Sequence, residues 1–152
     1  RFTVADVDPR AIDAVLARRD PRITRGVLVA PEQPIDVGQR FSAVYAKEVV
    51  EHVIAWPLWL VGLRHALQPG GRLWLSTPNY GEPWLPLLEA TALELVARRS
   101  GFSRRNLHPT RFSRSSLEHA LQSTGFDHVE VRPLPSRLAL SAWARSPDGQ
   151  DR

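Results

Sequence analysis

Short apolar segments alternate with segments of helical spacing along most of this chain, and this alternation limits its fold more than any other feature. Strands are predicted at Phe2–Val7, 23–30, 41–46, 72–77, 127–132 and 137–145. Helices are predicted from Pro9, from Glu48, over Trp59–Leu67, over 86–99, and from a Ser-rich cap at 113–116 to Gly125. Strands that alternate with helices predict an α/β fold, with a mostly parallel sheet covered by helices on both faces.

Composition limits the class of protein. The 152 residues are 43% hydrophobic and 24% charged, which fits one domain, and we expect it to span residues 1–146 with a disordered tail at 147–152. Neither Cys nor Met is present, which excludes a disulfide framework, a Cys-based zinc site and a thiol nucleophile. The missing initiator Met also leads us to expect that an upstream segment has been lost.

Charge and hydropathy argue against nucleic-acid and membrane partners. Lys and Arg total 20 against 16 Asp and Glu, but the basic residues are scattered and form no long run. No apolar stretch approaches the ~18 residues that a bilayer span needs, and the N-terminus lacks the apolar run of a signal peptide. A cytoplasmic location is the expectation.

A carboxylate lies near the end of the first predicted strand. Asp6 would stand at the carboxyl edge of the sheet, where open α/β folds bind ligands, and a carboxylate there can accept two hydrogen bonds from a ribose diol. It could equally be a solvated acid in the turn beside the helix cap Asp8. Position alone leaves both interpretations open.

Three ionisable side chains follow the third predicted strand. A helix would bring Glu48, Glu51 and His52 to one face, because they stand at i, i+3 and i+4. Two carboxylates and an imidazole could bind a divalent cation or hold a general base. Alternatively, the acids simply favour a helix N-terminus and the imidazole packs against its neighbours.

Further polar residues would reach the same edge of the sheet. Asn79 and Tyr80 follow the apolar strand 72–77 and could orient a substrate, although a Pro-Asn turn needs no function. His108 lies in a polar loop before a helix, and an imidazole with an ordinary pKa near ~6.5 can act as a base. Hydrolase and nucleoside-triphosphatase functions have no support, since the chain contains neither a Gly-x-Ser-x-Gly elbow nor a Walker phosphate loop.

Six segments in this order resemble the class I S-adenosylmethionine-dependent methyltransferases. They are Ala5–Pro9, Phe41–Val44, Glu48–Val53, Leu67–Leu73, Ser76–Asn79, and His108 with Phe112, Ser113, Leu117 and Gly125-Phe126. The likeness is to small-molecule O-methyltransferases of the ubiquinone-biosynthesis type and to related bacterial methyltransferases. It implies a Rossmann-like sheet with an antiparallel strand near the C-terminus, S-adenosylmethionine as cofactor, and a small-molecule acceptor methylated at oxygen or nitrogen.

The resemblance also implies roles for single residues. Asp6 would bind the cofactor ribose and the loop at 29–31 would border the adenine, which gives a cofactor-binding set of Asp6, Val7, Val29, Ala30, Lys47 and Glu48. On the acceptor side, His52 and His108 are the candidate catalytic bases, and Asn79 and Tyr80 would bind the substrate. No metal is assigned to this site.

The chain departs from the family pattern in three ways. The family's glycine-rich loop has no counterpart here, because Gly70-Gly71 belong to a later turn. By this resemblance the chain begins at the family's second strand and lacks the strand between its own first and third strands, which would leave two strand edges unpaired. In addition, Ser42 stands where the family usually has Asp, and Ala30 stands where many relatives have an acid. We therefore expect a fragment of a larger methyltransferase.

Three other functions remain open. A methyltransferase-like module that has lost its cofactor could serve as a structural or partner-binding domain. The Glu-x-x-Glu-His pattern at 48–52 is also similar to the metal site of small-RNA 2′-O-methyltransferases, although only His108 is present to complete it. The third is a Rossmann-like oxidoreductase, because an acid after the second strand of such a fold also suits the binding of NAD.

Overall fold

The computed structural model describes residues 1–30, 33, 35–83 and 108–149, and the helix predicted at 86–99 lies outside these residues. Helices and strands alternate through most of the described chain, and its last two elements are strands. The elements are β1 Phe2–Asp6, α1 Pro9–Leu16, β2 Ile23–Leu28, β3 Phe41–Lys47, α2 Trp56–His65, β4 Leu67–Pro78, α3 Arg114–Ser123, β5 Asp127–Pro133 and β6 Ala139–Arg145.

The strands form two separate sheets. β1 and β2 pair in parallel, with Val4 opposite Gly26. The second sheet has four strands in the order β3-β4-β6-β5. In it β3 is parallel to β4, with Lys47 opposite Ser76, while β6 is antiparallel to both of its neighbours. The predicted α/β class and the antiparallel strand near the C-terminus are confirmed.

Local signals explain where two of the helices begin and end. The Asp8 side chain accepts a hydrogen bond from the Arg10 main-chain N–H at 2.9 Å, and Pro9 occupies the first turn of α1. At α3, Ser113 and Ser116 form a reciprocal capping box. Gly125 follows that helix with φ of +85°, a conformation that glycine adopts without steric cost.

The helix predicted from Glu48 is wrong. Glu48 has φ of +52°, Val50–His52 form a single 3₁₀ turn, and α2 starts only at Trp56. The Glu48 main-chain N–H donates to the Ser76 carbonyl of β4 at 3.0 Å, so residue 48 still belongs to the strand ladder. Because a left-handed residue cannot propagate a right-handed helix, the chain turns here before α2 begins.

The main core lies between the four-stranded sheet and the helices α2 and α3. The helices contribute Leu60, Leu63, Leu117 and Leu121, and the sheet contributes Leu73, Leu75, Val131 and Leu140. On the smaller sheet, α1 packs Ile12 closely against Gly26 of β2. No helix in the described part of the chain is long and apolar enough to cross a membrane.

Two strand edges have no partner strand among the described residues. Among the described residues β1 pairs only with β2, and β3 pairs only with β4, so each of these strands has one edge without a partner strand. A cavity of about 510 Å³ is lined by residues of both strands, and we call it the interstrand groove. Its β1 residues include Phe2, Thr3, Ala5 and Asp6, and its β3 residues include Phe41, Ala43, Tyr45 and Lys47.

Candidate functional site

The carboxyl end of the interstrand groove brings together most of the residues predicted to bind a cofactor. Its lining includes Asp6, Val7, Val29, Ala30 and Lys47. These residues come from three chain segments, each at or just beyond the carboxyl end of a parallel strand. This edge is where α/β sheets bind ligands.

Asp6 is held in place at this edge. Its Oδ1 accepts the main-chain N–H of Asp8 at 2.9 Å, and its own carbonyl accepts the N–H of Val29 at 3.0 Å. No donor to Oδ2 is found among the described residues. The half-buried carboxylate therefore offers an acceptor oxygen to the groove, which is what recognition of a diol requires.

Glu48 is placed differently from the other predicted cofactor ligands. It is not among the residues that line the groove, and its Oε1 accepts the Ser76 hydroxyl at 2.7 Å. The left-handed backbone at residue 48 directs the side chain to β4. Lys47 and Glu48 are adjacent in sequence, yet only Lys47 faces the groove.

Glu51 is the most deeply buried carboxyl of the described chain, with 1% of its surface exposed. Its Oε2 accepts the hydroxyl of Thr77, itself fully buried, at 3.0 Å. Burial raises the pKa of the Glu51 carboxyl, and the nearby charge of Glu48 raises it further. The Glu51 carboxyl is therefore a buried acid next to the imidazole of His52, whose Nε2 lies 4.0 Å from Oε1.

The two predicted bases lie side by side. The His52 and His108 rings meet edge to face with centroids 4.9 Å apart, and the Tyr80 hydroxyl lies 2.5 Å from His108 Nδ1. Arg111 lies over the Tyr80 ring, 5.1 Å from its centroid. We call His52, His108 and Tyr80 the histidine cluster. His52 also lines the groove, so the cluster adjoins the cofactor-binding residues.

Thr110 holds this cluster together. Its N–H donates to the Glu51 carbonyl at 3.2 Å, and its hydroxyl donates to the Val53 carbonyl at 2.7 Å. These bonds tie the loop that carries His108 to the turn that carries His52. His52 and His108, which are more than 50 positions apart in the sequence, are thereby brought into contact.

Asn79 does not join the cluster. Its Nδ2 donates to the Arg137 carbonyl at 2.9 Å, and its Oδ1 accepts the N–H of Gly81 at 3.1 Å. Only 5% of its surface is exposed. Both polar atoms of its side chain thus brace the end of β4.

Glu51, His52 and His108 could hold a metal ion. One ligand atom from each lies within 4.8 Å of the others. A carboxylate and two imidazoles are an ordinary ligand set for a divalent transition metal. The other predicted ligand, Glu48, has one carboxylate oxygen bonded to Ser76.

Sequence reasoning did not identify three residues that shape this site. Ser76 and Thr77 bond the two glutamates, and Thr110 joins the two loops. A signal for the first two was present, because hydroxyls at the end of an otherwise apolar strand face the ligand edge of a sheet. Nothing local marks Thr110, whose role depends on tertiary contacts.

Comparison with known proteins assigns the fold to a family. A family model described as a methyltransferase domain matches residues 1–131. The chain belongs to this methyltransferase family. The ubiquinone biosynthesis O-methyltransferase of Methylobacterium nodulans is 27% identical over 121 residues, which cover 77% of this chain and 46% of that relative.

Solved structures share the fold. A possible exported protein from Bordetella parapertussis superposes with a TM-score of 0.71 at 21% identity, over 97% of this chain and 53% of that one. The N-methyltransferase NodS from Bradyrhizobium japonicum, solved with S-adenosylhomocysteine, gives a TM-score of 0.61 at 19% identity, over 97% of this chain and 67% of NodS. This chain spans about half the length of the M. nodulans relative and about half that of the B. parapertussis protein.

The cofactor of this family, S-adenosylmethionine, fits the residues present. Asp6 offers a carboxylate oxygen that could accept from a ribose hydroxyl, and Val7 and Val29 line the same groove. The predicted methyltransferase family and its cofactor, S-adenosylmethionine, are confirmed.

Proposed function

We propose that this methyltransferase domain takes part in methyl transfer from S-adenosylmethionine to an oxygen or nitrogen of a small-molecule acceptor. One observation carries the proposal. The groove that holds the Asp6 carboxylate also contains His52, and His52 contacts His108. Cofactor-binding and proton-accepting groups are thereby adjacent at the carboxyl edge of the strands.

The bound cofactor would supply an activated methyl group, and the chain has three remaining tasks. It must hold the acceptor in line, exclude water and accept the proton that an oxygen or nitrogen loses. His108 suits the last task when its Nδ1 carries the proton and donates to the Tyr80 oxygen, because Nε2 is then the basic atom. Tyr80 would fix that tautomer, and His52 would line the approach to it.

Calorimetric titration with S-adenosylhomocysteine tests the cofactor half of this proposal. We expect saturable binding that weakens about tenfold or more in Asp6→Ala, because the diol loses a charged acceptor. Asp6→Asn separates recognition from folding, since it retains an oxygen for the Asp8 N–H. Asp13→Ala, an exposed acid on α1, is the matched control and should bind as the parent does.

Two results would contradict the cofactor role. Equal affinity in the parent and in both Asp6 variants would remove Asp6 from the site. No binding by the parent, and none by a chain extended at its N-terminus, would favour a methyltransferase-like module with a structural or partner-binding role.

A metal-dependent RNA 2′-O-methyltransferase is the second candidate, favoured by the geometry of Glu51, His52 and His108. Titration with Mn²⁺, followed by its electron paramagnetic resonance signal, tests it directly. If the ion binds here, His108→Phe must weaken binding, whereas His119→Phe, at an exposed position of α3, must not. Absence of stoichiometric binding would exclude this candidate.

A further inference from the structure

The carboxyl end of the interstrand groove carries one ammonium group. Lys47, the only lysine of the chain, lines the groove at the end of β3 and is exposed. Arg1 also lines the groove, but it precedes β1 and therefore lies at the opposite end. His52 is the remaining basic residue of the described lining, and an imidazole is charged only when protonated. Lys47 is thus the fixed cation at the ligand edge of the sheet.

The acids nearest to Lys47 in sequence are bonded to other groups. Glu48 accepts the Ser76 hydroxyl through Oε1, and the buried Glu51 accepts the Thr77 hydroxyl. The ion pairs found among the described residues do not include Lys47. Its ammonium, with three N–H donors on a flexible stem, is therefore available to an anion that enters the groove.

The main chain of Lys47 offers a second donor on the same side. The Glu48 N–H donates to the Ser76 carbonyl of β4. Because successive strand residues direct their N–H groups to opposite edges, the N–H of Lys47 points away from β4. Among the described residues no strand pairs with β3 on that edge. Two donors from one residue suit an anion with two oxygens, such as a carboxylate.

The cofactor carries groups that complement both ends of this arrangement. S-adenosylmethionine has a ribose diol on one side of its sulfur and an amino-acid portion on the other, and the carboxylate of that portion is its only anionic group. The groove presents the acceptor Asp6 at the end of β1 and the donor Lys47 at the end of β3. Its volume of about 510 Å³ lies within the range of small-molecule sites.

We propose that Lys47 binds the carboxylate of the cofactor's amino-acid portion, while Asp6 accepts from the ribose. The inference rests on the proposed cofactor role of the groove and names the residue that recognises the other end of the ligand. Lys47 thereby selects the complete cofactor over nucleosides that lack an amino-acid portion. Charge complementarity also fixes the direction in which the cofactor lies between the two strands.

Two ligands separate this role from general cofactor binding. S-adenosylhomocysteine carries both the diol and the carboxylate, whereas 5′-methylthioadenosine keeps the diol and the sulfur but lacks the amino-acid portion. In calorimetric titrations, we expect Lys47→Met to weaken binding of S-adenosylhomocysteine about five- to tenfold, because a charge-assisted hydrogen bond is lost. Binding of 5′-methylthioadenosine should not change. Lys47→Arg, which keeps the charge, should bind S-adenosylhomocysteine within about threefold of the parent.

Two further variants serve as controls. Asp6→Asn should weaken binding of both ligands, since both carry the diol. Arg72→Met removes an exposed cation of β4 that is not among the groove-lining residues, and it should leave both affinities unchanged. Circular dichroism of each variant verifies that it is folded.

The single lysine allows a direct observation in the parent chain. Lysine labelled with ¹³C at Cε gives one side-chain signal, because Lys47 is the only lysine. We expect S-adenosylhomocysteine to shift this signal and 5′-methylthioadenosine to leave it in place. This measurement needs no substitution, so it decides even if the Lys47 variants fail to fold.

The outcomes distinguish the Lys47 role from the cofactor role of the groove. If Asp6→Asn weakens both ligands while Lys47→Met binds S-adenosylhomocysteine as the parent does, the Lys47 proposal is wrong and the proposed function stands. Equal weakening of both ligands in Lys47→Met would also overturn it, because the lysine would then act on the nucleoside. If the parent binds neither ligand, the Lys47 proposal fails for this chain, and the N-terminally extended chain then decides the cofactor role.

Discussion

At the residue scale, Glu51 combines deep burial with an ionisable group. The Thr77 hydroxyl is its one side-chain hydrogen-bond donor among the described residues. Glu48, His52 and His108 are titratable groups close to it. Burial raises the pKa of its carboxyl. The ionised form is therefore less stable in the folded chain than in water.

We predict that Glu51→Gln makes stability less dependent on pH. Because the folded-state pKa lies above the unfolded one, the folded chain binds more protons between these values, and its free energy of unfolding falls as pH rises through that range. The Gln variant cannot ionise, so it should match the parent below the range and be more stable above it. Urea unfolding at a series of pH values measures this difference.

Asp13→Asn is the control for that experiment, since Asp13 is exposed on α1. Its pH profile should follow the parent's. Parallel profiles for Glu51→Gln and the parent would show that the Glu51 carboxyl has an ordinary pKa. The prediction that burial raises this pKa would then be wrong.

At the element scale, α2 approaches the segment before β3 more closely than most side chains would allow. A Cβ at Gly62 would lie 2.5 Å from the main-chain nitrogen of Ile35. Glycine inside a helix ordinarily costs about 1 kcal/mol relative to alanine. At Gly62 the clash that a Cβ would make with Ile35 outweighs the cost of glycine in the helix.

We predict that Gly62→Ala destabilises the chain by about 1–3 kcal/mol, although helix propensity alone predicts a gain. The added methyl group must push α2 away from Ile35 or distort the backbone there. Leu58→Ala, at a half-exposed position of the same helix, should change stability by no more than about 0.5 kcal/mol. Thermal or urea unfolding of the two variants measures both effects, and a more stable Gly62→Ala would contradict the packing described here.

The sequence predicted most elements because their signals are local. Asp8-Pro9 marks the start of α1, and Gly125 marks the end of α3. The helix expected from Glu48 failed for a tertiary reason, since Glu48 is bonded to Ser76 of β4 through both its main chain and its side chain.

The candidate site was predictable in its residue types but not in its contacts. The position of a carboxylate at the end of β1 placed Asp6 at the ligand edge of the sheet, and its role there stays a prediction. The contact between His52 and His108 depends on Thr110, whose bonds exist only in the folded chain. The bracing role of Asn79 likewise depends on Arg137, far along the sequence.

At the scale of the whole molecule, the two sheets differ in how much apolar side chain they bury. Every member of the main buried cluster lies between Ala46 and Ala144. Within β1, α1 and β2, Ile12 is the one buried apolar residue, while Phe2 and Leu28 are each 59% exposed. Burial of apolar surface is the principal source of folding stability. The smaller sheet therefore has little stability of its own.

We therefore predict that β1, α1 and β2 open before the rest of the chain. Native-state hydrogen exchange should give lower opening free energies for amides of Phe2–Leu28 than for those of β4 and β6, because local stability follows local burial. Equal opening free energies would instead mean that contacts such as Gln39 to Thr3 and Arg25 to the Val37 carbonyl couple the sheets into one cooperative unit.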